Sequence, residues 1–157
     1  MADISKSSSE REIKCSPHKF YEHIKYSLHH LPTIFPEGYT DGRILEGDGK
    51  SEGSLRQWKY FLPGATEEHT VKARTTRQDD ENMVIALCVE DGDVHNHYQH
   101  FTAVVQIIPK DEGSKVKWTV EFEKHHDEIP DPHLYLELFD KITQKVDAHV
   151  FLPTETD

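Results

Sequence analysis

The chain has 157 residues, the size of one domain spanning 1–157, and its 18 basic and 29 acidic residues give a formal charge of −11. That balance excludes nucleic acid, which needs clustered Lys and Arg, and insertion into or attraction to an anionic membrane, and it favours a soluble monomer. Only 35% of residues are hydrophobic, about 40% with glycine against ~45–50% for a typical globular chain, so either the core is thin or the apolar residues line a space instead of filling it.

In chain order, the N-terminal stretch MADISKSSSEREIK lacks an apolar run and is not expected to be a signal peptide. Residues 3–14 are polar, and the expectation there is a frayed end with one strand at most. Ser16-Pro17 forms a helix start, serine as N-cap and proline at the first helical position, and Phe20, Tyr21 and Ile24 share one side of the turns that follow. Leu28, Leu31, Ile34 and Phe35 predict a second short helix, closed by Pro36 and Gly38.

From Tyr39 to Lys124 the turn signals are those of antiparallel strands: Gly47-Asp48-Gly49, Pro63-Gly64, Asp79-Asp80, Asp91-Gly92-Asp93 and 109–113. Six runs of strand length lie between them. Val116, Trp118, Val120 and Phe122 alternate with Lys115, Lys117, Thr119 and Glu121, which predicts one dry and one wet face. Phe101, Ala103, Val105 and Ile107 form the dry face of 97–107, and Trp58 and Tyr60 lead that of 54–62. Asp131-Pro132 repeats the helix-start signal, and Tyr135, Phe139, Ile142, Val146 and Val150 form a stripe at helical spacing. A helix over 132–150 is roughly 28 Å long at ~1.5 Å per residue, enough to cross a sheet.

Cys15 and Cys88 carry no CxxC spacing, and no apolar stretch approaches the ~18 residues of a membrane span. A reducing, cytoplasmic compartment is the expectation. Protonating all 12 histidines would move the formal charge from −11 to about +1, so the surface field should change steeply as pH falls from about 7 to about 5.

Segment 45–55 (LEGDGKSEGSL) resembles the glycine-rich loop of the major latex proteins. Segment 113–124 (GSKVKWTVEFEK) resembles their last strand, and 127–132 (DEIPDP) and 146–149 (VDAH) the two ends of their last helix. With Gly92-Asp93 before a tyrosine-bearing strand, the resemblance runs over nearly the whole chain. It places the chain in the helix-grip superfamily of the birch pollen allergen, the pathogenesis-related class ten proteins and the START-like lipid carriers. The fold this implies is α+β: a seven-stranded curved antiparallel sheet around a long C-terminal helix, two short helices after the first strand, and a large internal cavity. The implied function is binding of a hydrophobic plant small molecule of terpenoid, alkaloid, sterol or hormone class, with a defence or specialised-metabolism role and no cofactor. The alternative is a cofactor-independent cyclase or isomerase acting on a reactive intermediate in the same cavity.

On that fold Tyr21, Ile24, Trp58, Tyr60, Phe101, Ala103, Trp118, Val120, Phe122, Tyr135, Phe139, Ile142 and Val146 are the expected cavity lining, although the residues alone indicate only a core. Gly47, Gly49 and Gly53 lack the G-x-x-x-x-G-K-[ST] spacing and precede a strand, so a tight turn at the cavity mouth is expected instead of a phosphate site. His95, His97 and His100 do not all share a strand face, which disfavours a metal. His97 and Gln99 extend the face of Phe101 and Ala103 by alternation. They are read either as polar groups fixing a ligand, with His97 a candidate base, or as solvated rim residues. Arg56 shares the face of Trp58 and Tyr60; it anchors a ligand, pairs internally or snorkels to the rim. His97, Gln99, Tyr60 and Arg56 are thus the catalytic candidates. His125-His126 and His29-His30 read as solvated loops, Asp79-Asp80-Glu81 as a solvated turn.

Overall fold

The period-two pattern at 115–123 is realised in full. Val116, Trp118, Val120 and Phe122 are buried, and the residues between them are partly exposed. The structure, a computed structural model describing residues 4–151, contains β1 (Ser5–Ile13), α1 (Pro17–Ser27), α2 (Leu31–Ile34), β2 (Tyr39–Glu46), β3 (Leu55–Tyr60), β4 (His69–Asp79), β5 (Val84–Gly92), β6 (Tyr98–Pro109), β7 (Ser114–Lys124) and α3 (His133–Val150). Short 3-10 turns lie at Leu28–His30 and Asp93–Asn96. The seven strands form one antiparallel sheet in the order β1-β7-β6-β5-β4-β3-β2. Register shifts in β2, β4 and β6 bend the strands, and α3 lies along the concave face.

The one strand allowed for the N-terminal stretch, and the first strand that the resemblance implies, is β1; the fraying expected there is not seen over Ser5–Ile13. The strand pairs with β7 along its whole length, from Ser5 opposite Phe122 to Ile13 opposite Ser114. Its sequence is polar because it is an edge strand whose side chains mostly face water. Its order comes from the backbone ladder and from Arg11, which donates a bidentate pair of hydrogen bonds to Asp140 of α3 at 2.6 and 2.9 Å.

Tyr135, Leu138, Phe139, Ile142, Thr143 and Val146 are the buried stripe of α3. Neither proline-marked helix start uses its expected side-chain cap. The Asp131 carboxylate instead pairs with Lys124 Nζ at 2.8 Å. Asp147 of α3 accepts the backbone N–H groups of Lys14 and Cys15 at 3.1 and 3.0 Å, which fixes the β1–α1 connection to the helix.

The end of α1 is held by side chains of β3. The Trp58 indole donates to the Leu28 carbonyl at 3.2 Å, and Arg56 reaches the Lys25 carbonyl at 3.4 Å, so carbonyls that the helix leaves without partners are bonded. Tyr21 Oη and Lys25 Nζ both donate to Asp80 of the β4–β5 turn, at 2.6 and 2.9 Å. The turn expected to be merely solvated therefore anchors α1, although Asp80 remains largely exposed.

Candidate functional site

The space between the sheet and α3 is walled by β2 to β7, the two 3-10 turns, α2 and α3. Trp58, Tyr60, Phe101, Ala103, Trp118, Tyr135, Phe139 and Ile142 line it as expected, joined by Leu28, Leu31, Tyr39, Val71, Ala73, Leu87, Val89, Val94 and Leu138. The free volume is about 60 Å³, room for only a few water molecules. The large cavity expected from the resemblance is not present in this form. Aromatic rings occupy it: Phe101 meets Tyr135 edge-on at 4.8 Å between centroids, Trp118 stacks on Phe139 at 4.6 Å, and Tyr60 meets Tyr135 at 5.9 Å.

Tyr21, Ile24, Val120, Phe122 and Val146 are buried but do not line this space. Alternation and helical spacing identify the apolar face of an element. They do not separate its stretch over the cavity from its stretch in solid packing, where α1 packs against β6 and α3. Tyr39, Val71 and Val89 lie in runs without a clean pattern, whereas Leu138 sits beside the stripe of α3 and widens it.

The catalytic candidates separate. The extrapolation from Phe101 back to Gln99 and His97 fails because β6 carries a bulge: Tyr98 pairs with Lys124 and His100 with Glu123, which leaves Gln99 as the extra residue. The bulge reverses parity, so Tyr98 is buried while His97 and Gln99 are exposed. Tyr98 donates to the Pro130 carbonyl at 2.6 Å. His125 accompanies the neighbouring turn, its Nε2 2.7 Å from the His95 carbonyl.

Arg56 does point inward and is 3% exposed, yet it does not reach the cavity. Its guanidinium donates to Thr75 Oγ1 at 3.0 Å, to the Gly49 carbonyl and to the Lys25 carbonyl. Burial lowers its pKa, opposed by the charge of Asp48. The 47–53 loop is therefore pinned between β3 and the end of α1, and none of Gly47, Gly49 and Gly53 lines the cavity. All three have positive φ, which glycine adopts without strain. Asp48 accepts Lys50 N–H at 2.9 Å, with Ser51 and Ser54 hydroxyls at 2.9 and 3.2 Å.

What remains at the cavity is Tyr60. Its hydroxyl lies 2.5 Å from that of Tyr135. Burial raises the pKa of both phenols, Tyr60 well above its ordinary value and Tyr135 to about 12. The indole N–H groups of the two lining tryptophans point away: Trp58 to Leu28, and Trp118 to Thr143 Oγ1 at 2.8 Å. Among the described residues that line the space there is no Asp, Glu, Lys, Arg or His, and no group of three or more metal-binding side chains occurs among the described residues. Outside, an open groove of about 540 Å³ runs between Phe35–Gly38, the β3–β4 loop and α3, and Leu138 borders both it and the inner cavity.

A curved sheet closed by one long helix around an apolar interior defines a helix-grip protein. Residues 3–152 match the model of the pathogenesis-related protein Bet v 1 family, and the chain belongs to that family. It is 34% identical to major latex protein 146 of Papaver somniferum, the alignment covering 94% of this chain and 91% of that one. To MLP-like protein 423 of Arabidopsis thaliana it is 31% identical, over 92% and 93%. The fold matches ginseng major latex-like protein 151 from Panax ginseng with a TM-score of 0.89, at 24% identity over 95% of this chain and 99% of that one. Norcoclaurine synthase of Thalictrum flavum, solved with dopamine and hydroxybenzaldehyde, matches with a TM-score of 0.79 at 15% identity, over 95% and 87%.

Proposed function

We propose that this protein binds a hydrophobic small molecule in the space between the concave face of its sheet and α3. The observation that carries this reading is the lining: an unbroken apolar and aromatic wall from every inner element, with phenol hydroxyls as its free polar groups. Ligand sites of this kind bury apolar surface and use a few polar groups for orientation. A ligand of ordinary size needs ~300–1,000 Å³, far above the present 60 Å³, so binding requires the rings of Tyr135 and Phe139 to swing away or α3 to shift. Leu138 borders both the cavity and the outer groove and so lies on one route between them. The related norcoclaurine synthase, whose structure holds two small aromatic molecules, lends support through the shared fold. The family suggests a plant metabolite of terpenoid, alkaloid, sterol or hormone class held in the cytosol.

A catalytic reading has less behind it. Of His97, Gln99, Arg56 and Tyr60, only Tyr60 touches the cavity, and it keeps its proton at neutral pH. Binding without chemistry is the better-supported function.

The test uses the chain's two tryptophans, Trp58 and Trp118, both of which line the cavity. Titration with the neutral probe N-phenyl-1-naphthylamine should give saturable, one-to-one uptake with a change in tryptophan emission, and Leu138→Trp should weaken it. Tryptophan emission that stays constant up to the solubility limit of the probe, with no probe retained, would refute the reading.

A further inference from the structure

Resting on that reading, we infer that the Tyr60–Tyr135 hydroxyl pair, with Tyr39 beside it, is a hydrogen-bond donor site that selects an uncharged ligand bearing an oxygen acceptor such as a ketone carbonyl. The argument is a donor count. Each phenol has one O–H donor and an acceptor oxygen. The 2.5 Å contact between Tyr60 and Tyr135 uses one hydrogen of the pair, whichever residue donates. The other hydrogen has no acceptor among the described residues.

Tyr39 adds to the imbalance. Its ring lies 5.9 Å from that of Tyr60, it lines the same cavity, and it is buried. Its hydroxyl makes no hydrogen bond among the described residues, and its oxygen is not fully enclosed by protein atoms. Three phenols therefore border an otherwise apolar space, with one hydrogen bond between them. Buried polar groups are ordinarily paired, and leaving them unpaired is unfavourable. A ligand oxygen placed against the pair satisfies the surplus.

The same surroundings fix the charge. Among the described residues no cationic side chain lines the space, so a carboxylate or phosphate would be desolvated without compensation. An ammonium group would bring further donors to a site already rich in them, with no carboxylate in the lining to neutralise it. Burial keeps both phenols of the pair protonated at neutral pH, so each offers an O–H and neither offers a negative charge.

Four probes of one ring system separate the possibilities: 2-acetonaphthone, its hydrocarbon counterpart 2-isopropenylnaphthalene, 2-naphthoate and 2-(aminomethyl)naphthalene, each titrated against tryptophan emission. The ketone should bind about tenfold more tightly than the hydrocarbon, the size of one net hydrogen bond, and the two charged probes more weakly than either. In the Tyr60→Phe/Tyr135→Phe variant the ketone should lose at least threefold in affinity while the hydrocarbon keeps its Kd. Hydrocarbon, carboxylate or amine binding as tightly as the ketone to the unaltered protein overturns the donor site, and hydrocarbon binding alone leaves the cavity reading standing. Failure of all four to bind overturns both. The comparison in the unaltered protein decides the matter even if the variant does not fold.

Discussion

Replacing Arg56 by Met removes a buried charge, keeps much of the apolar stem, and tests what holds α1 and the glycine-rich loop to the sheet. The guanidinium is 3% exposed and bonds Thr75 Oγ1, the Gly49 carbonyl and, at a longer 3.4 Å, the Lys25 carbonyl. Among the described residues no carboxylate bonds it; carbonyl dipoles, one of them at the negative end of α1, offset its burial. Two full bonds from a charged donor are worth about 1.5 kcal/mol each at the low end. Relief of the desolvated charge returns part of that, so the expected destabilisation is about 2–3 kcal/mol. At ~2–4 °C per kcal/mol for a domain of this size, Tm should fall by about 5–10 °C. Arg56→Lys should lose nearly as much, because an ammonium cannot reproduce the planar fork that spans a hydroxyl and two carbonyls. Urea unfolding followed by tryptophan emission measures both. Replacing a buried ion by an apolar residue sometimes stabilises a protein; an Arg56→Met variant as stable as the parent would refute the idea that this side chain is the clamp.

Three further outcomes are expected. Burial lowers the pKa of His23 and of His29, helped by the neighbouring charges of His149 and His30 for the first and of His30 and Arg56 for the second. The folded state therefore favours their neutral forms, stability is complete above the ordinary histidine value of ~6.5 and declines as pH falls below it; Tm measured from pH 8 to 5 should show this, with a shallower decline in His23→Gln. Thr143→Val removes the acceptor of the Trp118 indole and leaves that buried N–H unpaired, which should cost about 1–3 kcal/mol in chemical denaturation. His97→Ala, at an exposed turn position, should change stability by less than about 0.5 kcal/mol and leave naphthylamine affinity unaltered; a clear loss of affinity would show that the β6 bulge does not turn it away from the interior.

Strand alternation and helical spacing were readable because they are local. Val116 to Phe122 and Tyr135 to Val146 announce one dry face each, and those faces meet in the structure. The same logic misplaced His97 and Gln99, because a single extra residue in β6 reverses parity and nothing near Gln99 marks the bulge. The polar β1 was only faintly legible in its own residues and was implied by the resemblance, because an edge strand is ordered by its partner's backbone, which its own side chains do not encode.

Residue order alone determined which faces are apolar, where the turns fall and that a long helix follows the last strand, since each depends on neighbours a few positions apart. The tertiary structure decided where Arg56 goes, that the phenols of Tyr60 and Tyr135 meet although 75 positions apart, and that interlocking rings reduce the interior to about 60 Å³. Those outcomes depend on how side chains from distant segments share one volume, and that sharing is fixed only when the sheet has curved and the helix has closed on it.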